Sequence, residues 1–171
     1  MKKVIVALIC IIMFIPCFAY ADYPVNIEKA SSLNSIIEQY ERLGSDLENE
    51  VITGDTTDTE KRQHLFILMT NLQSAMDPVI ALFTMLLIEK YHGDYKQFNP
   101  EAITRIQSYA DLCLKSIDTS IAYMRDTLPT VEDRFLIAKL VAAEQLLLKA
   151  QQWVRDIYIE LSDSKKLIEG R

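Results

Sequence analysis

Glycine and histidine are scarce in this sequence, and the few that occur are far apart. Four glycines in the whole chain leave no Gly-rich phosphate loop, and neither a Gly-x-Ser-x-Gly elbow nor a zinc-protease helix motif occurs. The two histidines, His64 and His92, would stand about 42 Å apart on one straight helix. Because no nucleophile–base pair or metal cluster can be assembled, we expect a protein that is not an enzyme.

Cysteine is also scarce, with Cys10, Cys17 and Cys113 as the three in the chain. The first two lie in an N-terminal segment that we expect to be removed, which leaves Cys113 alone. A disulfide framework needs at least two cysteines, and a domain of about 150 residues can bury an adequate core without one. We therefore predict a buried free thiol at Cys113. An intermolecular disulfide or a nucleophilic role remains the alternative.

The N-terminus has the pattern of an export signal. Lys2 and Lys3 precede an apolar core from Val4 to Phe18, and Ala19-Tyr20-Ala21 supplies the small residues that a signal peptidase needs. The apolar core is shorter than the ~20 residues of a membrane-spanning helix. We predict a cleaved signal peptide over residues 1–21 and a periplasmic or secreted mature chain. An uncleaved membrane anchor is the alternative.

Basic side chains are outnumbered by acidic ones. The chain has 18 Lys and Arg against 24 Asp and Glu, and without Lys2 and Lys3 the net charge of residues 22–171 is −8. A negative surface repels nucleic acid and anionic membranes. We therefore expect no nucleic-acid partner and no membrane insertion of the mature chain, and we expect a protein partner or self-association.

Four segments of the mature chain repeat apolar residues at steps of three and four, the period of packed helices. Gly54, which tolerates the left-handed conformation of a helix end, separates the first two segments. Start signals stand at Asp58, Pro100 and Asp133. Short connections make successive helices antiparallel. The prediction is an all-α, up-down-up-down four-helix bundle, a single domain over residues 22–171 with helices at about 26–52, 58–92, 100–128 and 131–164.

The fourth predicted helix has the most regular pattern. Its apolar positions alternate steps of four and three, in the series Leu136, Leu140, Ala143, Leu147, Ala150, Val154, Ile157 and Leu161. Large residues alternate with alanine at two of the intervening sites, which suits close antiparallel packing of helices.

The most apolar run outside the N-terminus extends from Leu65 to Ile88, and Pro78 interrupts it. Proline lacks a backbone N–H, so the helix should bend there. A transmembrane interpretation is disfavoured because Asp77 lies within the run, and a charge at mid-membrane costs about 2.5–3.5 kcal/mol.

Three apolar residues after Pro78 lie off the core line of the second predicted helix. Ile80, Leu87 and Ile88 are not explained by packing against one neighbouring face. Either another helix of the chain covers them or a partner does. We predict a partner interface at these three residues.

Three acidic residues fall in apolar surroundings: Asp77, Asp111 and Glu144. We predict them as candidate buried polar groups, which could include an acid with a shifted pKa at a functional site. A side chain that is paired or reaches solvent is the commoner outcome.

No metal and no cofactor are predicted. Glu89-x-x-His92 resembles half of a carboxylate-bridged di-iron signature, which needs a second such pair and two further glutamates. The Cys-x-x-Cys-His signature of attached haem is missing. Haem held by methionine, at Met69, Met76 or Met124, is left open, although methionine on a core line usually fills gaps.

These patterns favour an exported, non-enzymatic protein that acts by binding other proteins, in an inhibitor, immunity-like, chaperone-like or assembly role. The alternative is a bundle of sensor or carrier type that holds haem or another small ligand near Pro78.

Overall fold

Capped helix starts and short polar connections divide the chain into long helices. The computed structural model describes residues 27–54, 58–92 and 100–169. Within those ranges the prediction of an all-helical protein is confirmed, and the predicted signal peptide over residues 1–21 lies outside them. The elements are α1 (Ile27–Thr53), α2 (Thr59–His92), α3 (Pro100–Thr127), a short 3₁₀ turn (Leu128–Thr130) and α4 (Arg134–Glu169).

The helix α4 differs from the predicted segment at both ends. It begins at Arg134 rather than at about residue 131, because Asp133 is its N-cap. The carboxylate Oδ1 of Asp133 accepts a hydrogen bond from the backbone N–H of Leu136 at 2.8 Å. At the other end α4 continues to Glu169, since the polar residues after Leu161 include neither glycine nor proline before Gly170.

A tight turn ends α1. The backbone N–H of Gly54 donates to the carbonyl of Glu50 at 2.9 Å, and a Cβ atom at residue 54 would overlap that same oxygen. No glycine in the described ranges has a positive φ. Glycine is therefore required here by the close approach of the Glu50 carbonyl, and not by the left-handed conformation that we predicted. The next helix, α2, is capped by Asp58, whose Oδ1 accepts from the backbone N–H of Lys61 at 2.9 Å.

The apolar faces of the four helices meet in one core. Every position of the regular series in the fourth predicted helix is buried, from Leu136 to Leu161. The helix α1 contacts α2 and α4, α3 contacts the same two, and α2 also contacts α4, where the Phe83 and Trp153 rings meet edge to face at 6.3 Å. Over the described ranges α1 and α3 are not in contact. The helices α2 and α4 thus form the closer diagonal of the core.

A hydroxyl group on α3 compensates for the proline within α2. Pro78 removes the backbone donor that the carbonyl of Ser74, four residues earlier, would otherwise accept. The hydroxyl of Ser116 donates to that carbonyl at 2.9 Å. The buried hydroxyl of Ser120, one turn along, donates to the carbonyl of Asn71 at 3.1 Å. The helix α2 continues as one helix through Pro78, and α3 supplies a donor for the carbonyl that the proline leaves free.

Replacing Ser116 by alanine should lower the free energy of unfolding by about 1 kcal/mol, since the carbonyl of Ser74 loses its donor. In a Pro78→Ala background the backbone N–H of residue 78 can bind that carbonyl, so Ser116→Ala should cost much less there. Urea denaturation of the wild type, the two single variants and the double variant measures the loss of stability from Ser116→Ala in each background. Equal costs in the two backgrounds would show that Ser116 does not compensate for the proline.

Candidate functional site

The predicted interface residues Ile80, Leu87 and Ile88 lie in the second half of α2. Ile88 is 51% exposed, Ile80 is partly exposed, and Leu87 is partly exposed but also packs against the core. At 3.6 residues per turn these three share one outward arc of the helix with Ala81 and Thr84, which are also partly exposed. We call these five residues the α2 outer face.

The α2 outer face is apolar in spite of its threonine. The Thr84 hydroxyl donates to the carbonyl of Ile80 at 2.9 Å, so its hydrogen bond is made within the helix. No charged residue occurs between Pro78 and Ile88. The apolar pattern of the sequence does not select Thr84, although its place one turn from both Ile80 and Ile88 puts it on the same face.

Charged side chains bound this apolar surface at both ends. Before it, Asp77 is exposed, and its Oδ2 accepts from the side-chain amide of Gln73 at 3.3 Å. After it, the partly exposed Glu89 forms an ion pair with Arg105 of α3. An apolar patch rimmed by polar residues is typical of a protein-contact site.

Other exposed apolar residues are scattered singly. Along the outward arc of α4, Gln145 stands between Val141 and Leu148, and Gln152 and Arg155 follow before Ile159. Isolated apolar residues of this kind are normal on a protein surface. The α2 outer face is distinguished by adjacent apolar residues over more than two turns. The larger exposed residues elsewhere in the described chain are Ile52, Phe66, Leu112, Val141, Leu148 and Ile159.

Two of the three acidic residues predicted as buried are exposed, and the third is partly buried. Asp77 and Asp111 are exposed, so this prediction was wrong for both. Each follows a core residue by one position, and a turn of about 100° per residue carries it away from the core. Glu144 is partly buried, and its Oε1 accepts from the guanidinium Nε of Arg125 at 2.6 Å. It is therefore a paired side chain between α3 and α4.

Cys113 is a buried free cysteine. Burial raises the pKa of the Cys113 thiol to about 12, because the thiolate would lose its hydration in the apolar core. A nucleophilic cysteine needs an accessible thiolate near neutral pH. The environment of this thiol therefore favours the structural role over the nucleophilic alternative.

The residues considered for metal or haem binding are spread through the fold. In the described ranges no group of three or more His, Cys, Asp or Glu residues could hold a metal ion. His64 is partly buried near the start of α2, and His92 is the last residue of that helix. Met76 and Met124 are core residues, and Met69 packs against the core, where methionine fills space between helices.

A charged cluster that was not predicted from the sequence joins α1, α2 and the start of α4 at one end of the fold. The Lys61 ammonium lies 2.6 Å from Oε1 of Glu50 and 3.4 Å from Oδ2 of Asp133. It also lies 5.4 Å from the centre of the Phe135 ring, with Lys139 5.1 Å from the same ring. A cation near an aromatic face is attracted by its π electrons. The signal for this cluster in the sequence was the presence of opposite charges near the ends of the predicted helices.

Hydrogen bonds and neighbouring charges in this cluster shift the pKa of Lys61 and the pKa of Asp133. The hydrogen bond to Glu50 raises the pKa of Lys61 above its ordinary value. The backbone N–H of Leu136, followed by the charge of Lys61, holds the pKa of Asp133 below its ordinary value. Both shifts favour the charged forms, which indicates a stabilising role for the cluster.

Lowering the pH should remove the contribution of Asp133 to the free energy of unfolding over a defined pH range. Because its pKa is lowered on folding, the contribution is present above the ordinary aspartate value of about 3.9 and is lost as the pH falls through the lowered value. Asp133→Asn keeps a capping oxygen but lacks this titration. Urea denaturation at a series of pH values should show the two chains converging in stability at low pH. A difference in stability between the two chains that stays constant at every pH would contradict a lowered pKa of Asp133.

A surface groove of about 400 Å³ lies between α1 and α4. Ser35 and Gln39 border it on α1, Lys149 and Gln152 border it on α4, and the buried Trp153 contributes to its floor. The Lys149 ammonium donates to Oε1 of Gln39 at 2.7 Å and so bridges the two sides. None of the predicted interface residues contributes to this groove, and it does not lie at Pro78.

By length and composition alone, the part of α2 from Thr59 to Glu89 could cross a membrane. The same test is passed by core helices of soluble proteins, and 39% of the most apolar window of α2 is buried within the fold. Composition alone therefore does not assign α2 to a membrane.

The chain matches no protein-family model, no curated protein and no solved structure.

Proposed function

We propose that residues 22–171 form an exported, non-enzymatic helical bundle that binds another protein through the α2 outer face, in an inhibitor, immunity-like, chaperone-like or assembly role. The apolar surface after Pro78 carries this proposal, with Ile88 51% exposed. Its members Ile80, Thr84, Leu87 and Ile88 follow the i, i+4, i+7, i+8 spacing by which a helix docks in an apolar groove. The expected partner surface is therefore an apolar groove or helix face without acidic residues at its centre.

The same proposal includes an antiparallel, up-down-up-down order of the helices. Hydrogen bonds and ion pairs between helices support it, because residue numbers rise on one helix as they fall on its neighbour. Between α1 and α4 the pairs are Gln39 with Lys149 and Asp46 with Lys139. Between α3 and α4 they are Thr104 with Lys165, Gln107 with Ser162, Asp118 with Gln151 and Arg125 with Glu144.

Charge also favours a protein partner. Residues 22–171 carry a net charge of −8, which disfavours nucleic acid and anionic lipid. The α2 outer face itself has no charged member, and the centres of protein–protein interfaces are depleted of charge in the same way. Export is supported by the signal pattern of residues 1–21.

The proposal is tested by the mass of the mature protein in solution. Residues 22–171 are purified, sedimented alone over a range of concentrations, and then used to capture proteins from an envelope extract. We expect a self-associated species or a captured partner that remains bound through washing. A strictly monomeric protein that captures nothing would remove the support for a binding role.

A small-ligand carrier is the second candidate, favoured by the groove between α1 and α4. Its volume of about 400 Å³ lies within the ~300–1,000 Å³ of typical ligand sites, and the buried Trp153 contributes to its floor. Protein purified from its native source should then carry a co-purifying mass, with visible absorption if the ligand is haem. A spectrum and a mass that show protein alone would exclude this candidate.

A further inference from the structure

The α2 outer face is symmetric about Thr84. Ile80 and Ile88 lie one turn before and one turn after this residue, and Ala81 and Leu87 lie three positions before and after it. The members of each pair are apolar and stand at equal angles on opposite sides of Thr84, about 40° for the first pair and about 60° for the second. A twofold axis at Thr84 therefore lays the first half of one copy against the second half of another, as a self-complementary interface requires.

The side chains near Thr84 suit close contact between two such faces. The Thr84 hydroxyl already donates to the carbonyl of Ile80, so contact at the axis leaves no donor without a partner. When the two helices run antiparallel, Ala81 of one copy comes level with Leu87 of the other. A small side chain then faces a large one, which is the arrangement that lets packed helices interdigitate.

The charge of Asp77 disfavours two other ways of pairing the same helix. Asp77 is exposed on the outward arc of α2. A parallel pairing would place it beside Asp77 of the second copy. An antiparallel pairing centred on Asp77 would do the same, although it would bring the exposed Phe66 onto Ile88. Like charges that face each other across an interface oppose both pairings.

The antiparallel pairing centred on Thr84 keeps these carboxylates apart. The two Asp77 residues then lie about 21 Å from each other along the helices. Each carboxylate is carried toward the far end of the other copy's face, where the side chain of Arg105 is 63% exposed and pairs with Glu89. Charge complementarity at the rim of the face therefore favours this pairing over the other two.

We propose that the partner of the α2 outer face is a second copy of this chain, and that the two copies pair antiparallel through α2 about a twofold axis at Thr84. This inference rests on the proposed function and deepens it by naming the partner. The face extends about 12 Å from Ile80 to Ile88, which is short for an interface that buries about 800 Å² on each partner. The dimer is therefore weak, with a dissociation constant on the order of 10–100 μM.

Disulfide trapping with residues 22–171 tests the pairing. Chains with Ile80→Cys and Ile88→Cys are mixed at about 100 μM, one of them labelled with heavy nitrogen, and oxidised with diamide. Mass spectrometry then separates the mixed disulfide from the two homodimeric ones. We expect the mixed disulfide in at least severalfold excess, because two copies of position 80, or of position 88, lie about 12 Å apart along the helices, beyond the ~7 Å that a disulfide can bridge.

Two further chains calibrate the yields. Thr84→Cys should give a homodimeric disulfide in high yield, since this position lies on the axis. Leu112→Cys, at a residue of α3 that is 58% exposed, measures the yield from random collisions. Native Cys113 is kept in every chain because it is buried, and the chain without an added cysteine shows whether it contributes.

The other outcomes overturn the inference. Homodimeric disulfides at positions 80 and 88 that equal or exceed the mixed one would reject the antiparallel pairing. Yields at positions 80, 84 and 88 no higher than at position 112 would reject the second copy as the partner. Failure of the proposed function is distinguishable: a monomeric chain that captures a different protein, which Ile88→Glu releases, would reject the second copy alone. A chain that neither associates nor captures a protein would reject the binding role as well.

Discussion

Leu147→Ala should lower the free energy of unfolding by about 2–5 kcal/mol, whereas Leu148→Ala should change it by less than about 0.5 kcal/mol. Leu147 is fully buried and Leu148 is 39% exposed, although the two are neighbours of identical type. The first substitution removes buried methyl groups and leaves a cavity between Ala143 and Ala150, which are too small to fill it. The second removes atoms that already face water.

Urea denaturation of both variants measures this difference, and the wild-type slope of the transition provides a check that unfolding remains two-state. Because alanine and leucine both have high helix propensities, with alanine slightly the higher, the comparison isolates burial. Equal losses of stability at the two positions would contradict the orientation of α4, in which Leu147 faces the core and Leu148 faces solvent. They would also contradict the arrangement of the core.

Native Cys113 should react with a thiol reagent at least about a thousand-fold more slowly than the same thiol in the unfolded chain. Burial raises its pKa from 9.0 to about 12, and three pH units correspond to about a thousand-fold less thiolate at a given pH. Exclusion of the reagent from the core slows the reaction further. The rate is followed by absorbance at about pH 8, in buffer and in guanidinium, with the mature chain or with Cys10→Ser and Cys17→Ser in the full chain.

A slow native rate also separates the alternatives for Cys113. Labelling of the folded protein would then report opening of the core, since the thiol becomes available only when α3 moves away from its neighbours. Rapid labelling in buffer would contradict the buried environment, and it would restore the alternative of an intermolecular disulfide.

The helices and the core of α4 could be predicted because their signals are local. The steps of four and three from Leu136 to Leu161 specify a buried face without any knowledge of the neighbouring helices. Contacts between helices could not be predicted in this way. Ser116 reaches the carbonyl that Pro78 leaves free only because α3 packs beside α2 at one particular axial offset. Nothing near Ser116 in the sequence shows that offset.

The same limit explains the errors and omissions at charged residues. Asp77 and Asp111 are surrounded by apolar residues along the chain, yet one step of helical rotation carries each into solvent. Lys61, Glu50 and Asp133 lie in three separate parts of the chain, so the sequence shows opposite charges near helix ends but does not show that they meet. Ile80, Leu87 and Ile88 could be selected because they lie off the core line. How far neighbouring helices cover each of them depends on the packed structure, which leaves Ile88 the most exposed.

A comparison of Ile88→Glu with Leu112→Glu tests most directly whether the α2 outer face is the contact surface. Both changes place a carboxylate at an exposed apolar residue, so both chains should keep the helix content and the unfolding midpoint of the wild type. Sedimentation of residues 22–171, alone and with any captured partner, should show that Ile88→Glu abolishes association and that Leu112→Glu retains it. Association of the Ile88→Glu chain at wild-type strength, or loss of association in both variants, would contradict the proposed role of this surface.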